Sequence, residues 1–149
     1  MVKPRTNSGS EVPLGTLLSS AARRLSTDLD RALRDAGFDD VRSAHAPLFL
    51  AIGPDGSTAT ELAQRAHMSK QAMGELVRYL SERGYLAAVP NPADRRARIL
   101  TLTDRGRDVL EVGLELVGSF DAWFDRQVGA KKVAELRRTL QQIITADWP

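Results

Sequence analysis

From Leu14 onward apolar residues recur every three or four positions. Leu14, Leu18, Ala21, Ala22, Leu25, Leu29, Ala32, Leu33 and Ala36 share one side of about six helical turns, and Arg23, Arg24, Asp28 and Arg31 take the other. The spacing predicts one long amphipathic helix ending near Gly37. A shorter helix fits Ser43 to Ile52, with Pro47 near its first turn, where amides have no intrahelical partner to lose. Gly53-Pro54-Asp55-Gly56 is a turn. Thr58 and Glu61 then stand at capping-box spacing and open a helix of about two turns that carries Leu62, Ala63 and Ala66 inward. His67-Met68 interrupts it, and Ser69 caps a second helix that runs to Arg83 and is closed by Gly84. Two short helices joined by a few residues make a helix-turn-helix.

That second helix has two unlike sides. Met73, Leu76, Val77 and Leu80 form a core stripe, while Lys70, Gln71, Gly74, Glu75 and Arg78 lie opposite. Donors and an acceptor around a glycine suit the reading of base edges, although the same face would also suit an ordinary solvated helix. Two β-prone stretches follow, Leu86 to Val89 and Arg98 to Leu102, and between them runs Pro90-Asn91-Pro92-Ala93-Asp94-Arg95-Arg96-Ala97. The prolines stiffen the tip of a hairpin. Its crowded arginines are costly unless a phosphate backbone supplies counter-charge, and such a finger could enter a minor groove. Asp94 reads as a clamp that accepts hydrogen bonds from Arg96 or loop amides; a solvent-exposed ion pair is the plainer reading.

Charge sharpens this picture only through its placement. The 149 residues carry a net charge of +2. The segment Ser57–Arg107 holds nine Lys/Arg against five acids, which makes it +4 and leaves −2 for the remainder. A positive field confined to the middle third fits a polyanion docking there, although chance unevenness of a charged surface would also produce it. There is no cysteine, and two histidines, His45 and His67, do not make a structural zinc site without carboxylates. No phosphate-cradling glycine loop, metal-ligand spacing or nucleophile elbow stands out, so no metal, cofactor or enzyme activity is implied. No apolar run of about 18 residues is present and the first ten residues lack a signal-peptide core, so the expectation is a cytoplasmic protein without a membrane partner.

The run ADRRARILTLTDRG, residues 93–106, resembles the wing signature of the multiple antibiotic resistance regulator (MarR) family of winged-helix transcription factors, in Asp94, Arg96, Leu102, Thr103 and Gly106. The preceding TELAQRAHMSKQAMGELVRYLSERGYL is similar to that family's helix-turn-helix. The likeness is close from Ser57 to about Leu110 and rests on length and order alone in the flanking helices. It implies a homodimer that binds double-stranded DNA at a pseudo-palindromic operator, usually as a repressor, and often releases it on binding a small-molecule effector. Carried onto this chain, the recognition helix contributes Ser69, Lys70, Gln71, Gly74, Glu75 and Arg78, and the wing Asp94, Arg95, Arg96 and Arg98.

The last third of the chain supports a pair independently. Thr103 caps a helix in which Val109, Val112, Leu116, Phe120 and Trp123 make one stripe and Leu110, Leu114, Val117, Phe124 and Val128 another. A helix apolar on two sides needs two partners, one of which a second copy can supply; a monomeric bundle is the alternative. The expected fold is mainly α with a small β-hairpin wing. It comprises a flexible arm over residues 1–12, a helical dimerisation region over 13–40 and 104–149, and a winged helix-turn-helix over 41–103. His45, Leu48, Phe49, Trp123 and Phe124 are candidate lining for an effector pocket between the two, although aromatics are more often core. The competing function is a winged-helix module for protein contact or sequence-indifferent DNA packaging, without an effector site.

Overall fold

The computed structural model describes residues 11–147, so the expected arm over residues 1–12 lies outside it except for Glu11 and Val12. Helix α1 spans Leu14–Asp35 and, despite its regular apolar stripe, buries only Leu33. It stops where Gly37 takes φ 89° and the Phe38 amide turns back to the Leu33 carbonyl at 2.8 Å. A left-handed residue just past a helix closes its last carbonyls in this way.

The helix expected over Ser43 to Ile52 is divided. Ser43–His45 form a 3-10 turn, and α2 follows as Ala46–Ala51 with Pro47 in its first turn. Proline cannot donate an amide, so the α-helical register starts beside it rather than running through it. The capping box holds: Thr58 Oγ1 accepts from the Glu61 amide at 3.3 Å and Glu61 Oε2 accepts from the Thr58 amide at 2.7 Å, opening α3, Ala59–Arg65. His67 reverses the chain with φ 52°. Ser69 Oγ accepts from the Ala72 amide at 3.1 Å and opens α4, Lys70–Glu82, which ends before Gly84 at φ 77°.

Strands β1, Leu86–Pro90, and β2, Arg98–Leu102, pair antiparallel with Leu86 opposite Leu102 and Pro90 opposite Arg98. Pro90 sits at the outermost pair, where a missing amide costs the ladder least. A third contact extends this hairpin: Ser57 and Leu100 exchange both backbone hydrogen bonds, at 2.9 and 2.8 Å. Helix α5, Asp104–Val128, is capped by Thr103 Oγ1, and α6, Ala130–Thr145, folds back along it after Gly129 at φ 95°.

The core lies in the winged lobe. Leu48, Leu62, Met73, Leu80 and Tyr85 are fully buried and, with Leu86, gather α2, α3, α4 and β1 around one centre, with Leu33 of α1 and Val109 of α5 closing it from the helical side. The remaining lengths of α1, α5 and α6 project beyond this core. Their apolar residues stay in solvent: Leu14 and Leu17 on α1, Leu114, Val117 and Trp123 on α5, Leu136, Ile143 and Ile144 on α6.

Candidate nucleic-acid interface

Helix α4 presents the two sides expected of it. Met73 and Leu80 are buried and Leu76 and Val77 half-buried, whereas Lys70, Gln71, Gly74, Glu75 and Arg78 are exposed together with Ser69. Nothing lies within 4 Å of where a Cβ on Gly74 would stand. The glycine therefore fits no protein neighbour and leaves bare backbone on the outer face of the helix.

The wing tip is held by its own side chains. Asn91 Oδ1 accepts from the Ala93 amide at 3.0 Å, Asp94 Oδ1 accepts from the Arg96 amide at 2.9 Å, and the Asp94 carbonyl accepts from the Ala97 amide at 3.1 Å. Asp94 thus fixes the backbone at Arg96 and leaves its guanidinium free. Arg98 differs from its neighbours: it donates to the Ala88 carbonyl at 2.9 Å and lies across β1.

The nine cations of the segment Ser57–Arg107 divide accordingly. Arg65 donates to Ser57 Oγ at 2.8 Å and to the Ala51 carbonyl at 3.1 Å. Arg83 covers the Tyr79 ring at 3.5 Å, Arg105 donates to the Tyr85 hydroxyl at 2.8 Å, and Arg107 pairs with Asp104 and the Leu102 carbonyl. With Arg98, five arginines are engaged within the chain. Lys70, Arg78, Arg95 and Arg96 have no side-chain hydrogen bond or ion pair among the described residues, and all four are exposed on α4 or the wing tip. The local charge excess thus resolves into four outward cations on α4 and the wing tip.

Where α1, α2 and α5 meet, a cavity of about 300 Å³ opens, lined by Leu25, Leu29, Phe49, Leu110, Leu114 and Arg42 among others. Of the five side chains singled out for such a pocket, Phe49 lines it. Leu48 is fully buried in the lobe core, and His45 stacks on Tyr79 with ring centroids 4.8 Å apart while its Nδ1 accepts from the Arg42 amide at 3.0 Å. Trp123 and Phe124 stack with each other at 6.2 Å, farther along α5. Burial, followed by the charges of Arg42 and Arg83, lowers the His45 pKa below its ordinary 6.5. Among the described residues no group of three His, Asp or Glu side chains is placed to hold a metal, and no helix is long and apolar enough to cross a membrane.

Two constellations escaped the sequence reading. Ser57, buried, takes its hydroxyl bonds from Arg65 and from the Gly53 amide at 3.1 Å, locking the turn before α3 to the helix itself. Asp40 joins distant elements: its carbonyl accepts from Tyr79 Oη at 2.8 Å, its Oδ1 accepts from Tyr85 Oη at 2.5 Å, and Arg83 and Arg105 stand 3.9 and 3.8 Å from its carboxylate. Burial and the bond to Asp40 raise the Tyr85 pKa, which keeps the phenol protonated as donor. The adjacent acids Asp39-Asp40 carry no spacing in the sequence that points to partners this distant.

Comparison with known proteins agrees with this geometry. The model of the MarR family matches residues 40–97, from Asp40 through the wing tip. The chain is 27% identical over 133 residues to the HTH-type transcriptional repressor Rv2887 of Mycobacterium tuberculosis, covering 89% of this chain and 94% of that protein. It is 27% identical over 96 residues to the exopolysaccharide II synthesis transcriptional activator ExpG of Rhizobium meliloti, covering 64% of this chain but only half of ExpG's length. Among solved structures, Streptococcus pneumoniae FabT in complex with DNA superposes with a TM-score of 0.76 at 16% identity, over 88% of this chain and 92% of FabT.

Proposed function

We propose that this chain, a winged-helix protein of the MarR family, is a transcriptional regulator that binds a pseudo-palindromic operator in double-stranded DNA as a homodimer, most simply as a repressor. One observation carries this reading: of the nine cations of the segment Ser57–Arg107, the four without a side-chain partner among the described residues all lie on α4 and the wing tip. Lys70, Gln71 and Arg78 would address base edges in a major groove, and Arg95 and Arg96 the phosphates or minor groove beside it. In this reading the protein binds rather than catalyses, and works in the cytoplasm beside its DNA partner.

The dimer follows from the apolar faces that one copy leaves uncovered. Leu17, Leu114, Val117, Trp123 and Ile144 are between 40 and 74% exposed. Apolar residues exposed on helices that already overhang their core suit a second identical surface better than water. Residues 13–40 and 104–149 then form the dimerisation region and 41–103 the DNA-binding lobe. Two copies related by a two-fold axis present paired α4 helices at a separation of roughly 34 Å, one turn of duplex. The cavity between α1, α2 and α5 lies where base and lobe meet. A small apolar effector seated there, against Phe49 rather than against His45 or Trp123, would bias the spacing of the lobes and thereby DNA affinity.

Band-shift titration against duplexes selected from a random pool, followed by footprinting, tests the reading. The expected result is a protected inverted repeat. Arg96→Ala should weaken binding to every duplex, whereas Gln71→Ala should change the preference among sequences by about 1–3 kcal/mol per contacted base. Equal effects of both substitutions on all duplexes would remove base readout and leave sequence-indifferent packaging.

A further inference from the structure

Covalent continuity between the helical base and the winged lobe is confined to two places, residues 36–42 after α1 and Thr103 before α5. Asp40 stands on the first connection, and Arg105 lies two residues beyond the second. Between them the lobe supplies Tyr79 and Arg83 from the end of α4 and Tyr85 from the start of the wing. The phenol of Tyr85 links the two connections directly, accepting from Arg105 Nη2 at 2.8 Å and donating to Asp40 Oδ1 at 2.5 Å. Arg83 Nε approaches the other carboxylate oxygen at 3.9 Å, and Tyr79 Oη reaches the Asp40 carbonyl at 2.8 Å. Packing reinforces the polar contacts, since the Arg105 guanidinium lies 4.7 Å over the Tyr85 ring and Phe38 meets that ring edge-on at 6.3 Å.

The two connections alone leave the lobe free to swing about a line through them. Beside the packing of Leu33 and Val109, one carboxylate that accepts from the wing root and stands within ion-pair distance of Arg83 at the carboxyl end of α4 and of Arg105 in the first turn of α5 restrains that swing. We infer that Asp40 is a positioning residue that sets the angle at which α4 leaves the helical base, and so the spacing between half-sites that a dimer accepts. The inference rests on the dimeric DNA-binding reading above. It assigns Asp40, which contacts Tyr79 and Arg83 rather than Lys70, Gln71 or Arg78, a part in operator selectivity rather than in contact with bases.

A side chain that merely stabilised the lobe would, when altered, weaken binding to all DNA alike. A positioning residue instead changes how sharply spacing is read. Adding one base pair between half-sites moves them by about 3.4 Å and rotates them by about 36°, which a rigid dimer resists. The experiment compares Asp40→Asn, which keeps the shape and the main-chain bond to Tyr79, with the unaltered protein on three duplexes: the selected operator, the same operator lengthened by one base pair, and a single half-site. The unaltered protein should prefer the operator over the lengthened duplex by about tenfold, and Asp40→Asn by less than about threefold, with half-site affinity preserved. Arg83→Gln, at an exposed position, should move the ratio in the same direction and serves if Asp40→Asn does not fold. A spacing ratio that survives both substitutions overturns the inference while leaving the dimeric regulator intact. An unaltered protein with no spacing preference overturns both, and the two failures are told apart by that control.

Discussion

Gly106 lies in the first turn of α5 where the helix passes over the backbone of Tyr85, so that a Cβ would sit inside the Tyr85 carbonyl oxygen and 3.2 Å from Leu102 Cδ2. Gly113, seven residues later in the same helix, would bring its Cβ no nearer than 4.0 Å to Leu29. The same substitution should therefore have opposite signs. Gly106→Ala should lose about 1–3 kcal/mol by overpacking, and Gly113→Ala should gain about 0.5–1 kcal/mol by relieving the helical penalty of glycine; urea midpoints that move the same way would contradict the packing argument. His45 makes a second prediction at this scale. Its native pKa lies below 6.5, so its stabilising contribution is complete above that value and declines as pH falls beneath it, because the unfolded chain takes up the proton first. Between about pH 7.5 and 5.5 the urea midpoint should fall more for the unaltered protein than for His45→Asn, and parallel curves would refute this.

At the scale of elements, α4 combines a strong N-cap at Ser69 with a mid-helix glycine that no protein neighbour requires. Gly74→Ala should raise stability by about 0.5–1 kcal/mol while lowering operator affinity, since the methyl group would stand on the face proposed to approach DNA. Calorimetry and band-shift titration on one preparation test both halves, and an unchanged affinity would move the binding face elsewhere. This helix was legible in the sequence because its signals are local: the Ser69 cap acts three residues away, the Thr58–Glu61 box likewise, and the core stripe repeats every turn. The Asp94 clamp was legible for the same reason, reaching an amide two residues on. What stayed hidden was set by distance along the chain. Asp40 meets partners 39 and 45 residues later, and Ser57 pairs with Leu100. Four of the seven hydrogen bonds from the engaged arginines end on carbonyls, which every residue carries and no pattern of side chains marks. The pocket residues failed to converge on similar grounds, since placing Trp123 on an apolar stripe of α5 did not say which turn of that helix would face α2.

For the molecule as a whole, the decisive quantity is the apolar surface that α1, α5 and α6 leave in water. Trp123 is 43% exposed and Val117 40%, both on the outer part of α5. Trp123→Asp places a charge on that surface without disturbing the lobe core, so sedimentation at micromolar concentration should change from a two-chain to a one-chain species while the circular dichroism stays helical. A two-chain species in the variant would locate the contact elsewhere. The internal engagement of Arg65, Arg83, Arg98, Arg105 and Arg107 has a further thermodynamic consequence. Only ions condensed on the duplex that are displaced by outward-facing charges reach bulk solution on binding. With four such charges on α4 and the wing tip of each copy, a bound pair releases about eight counterions through these two elements, and the logarithm of the association constant should fall against that of salt concentration with a slope of about −7.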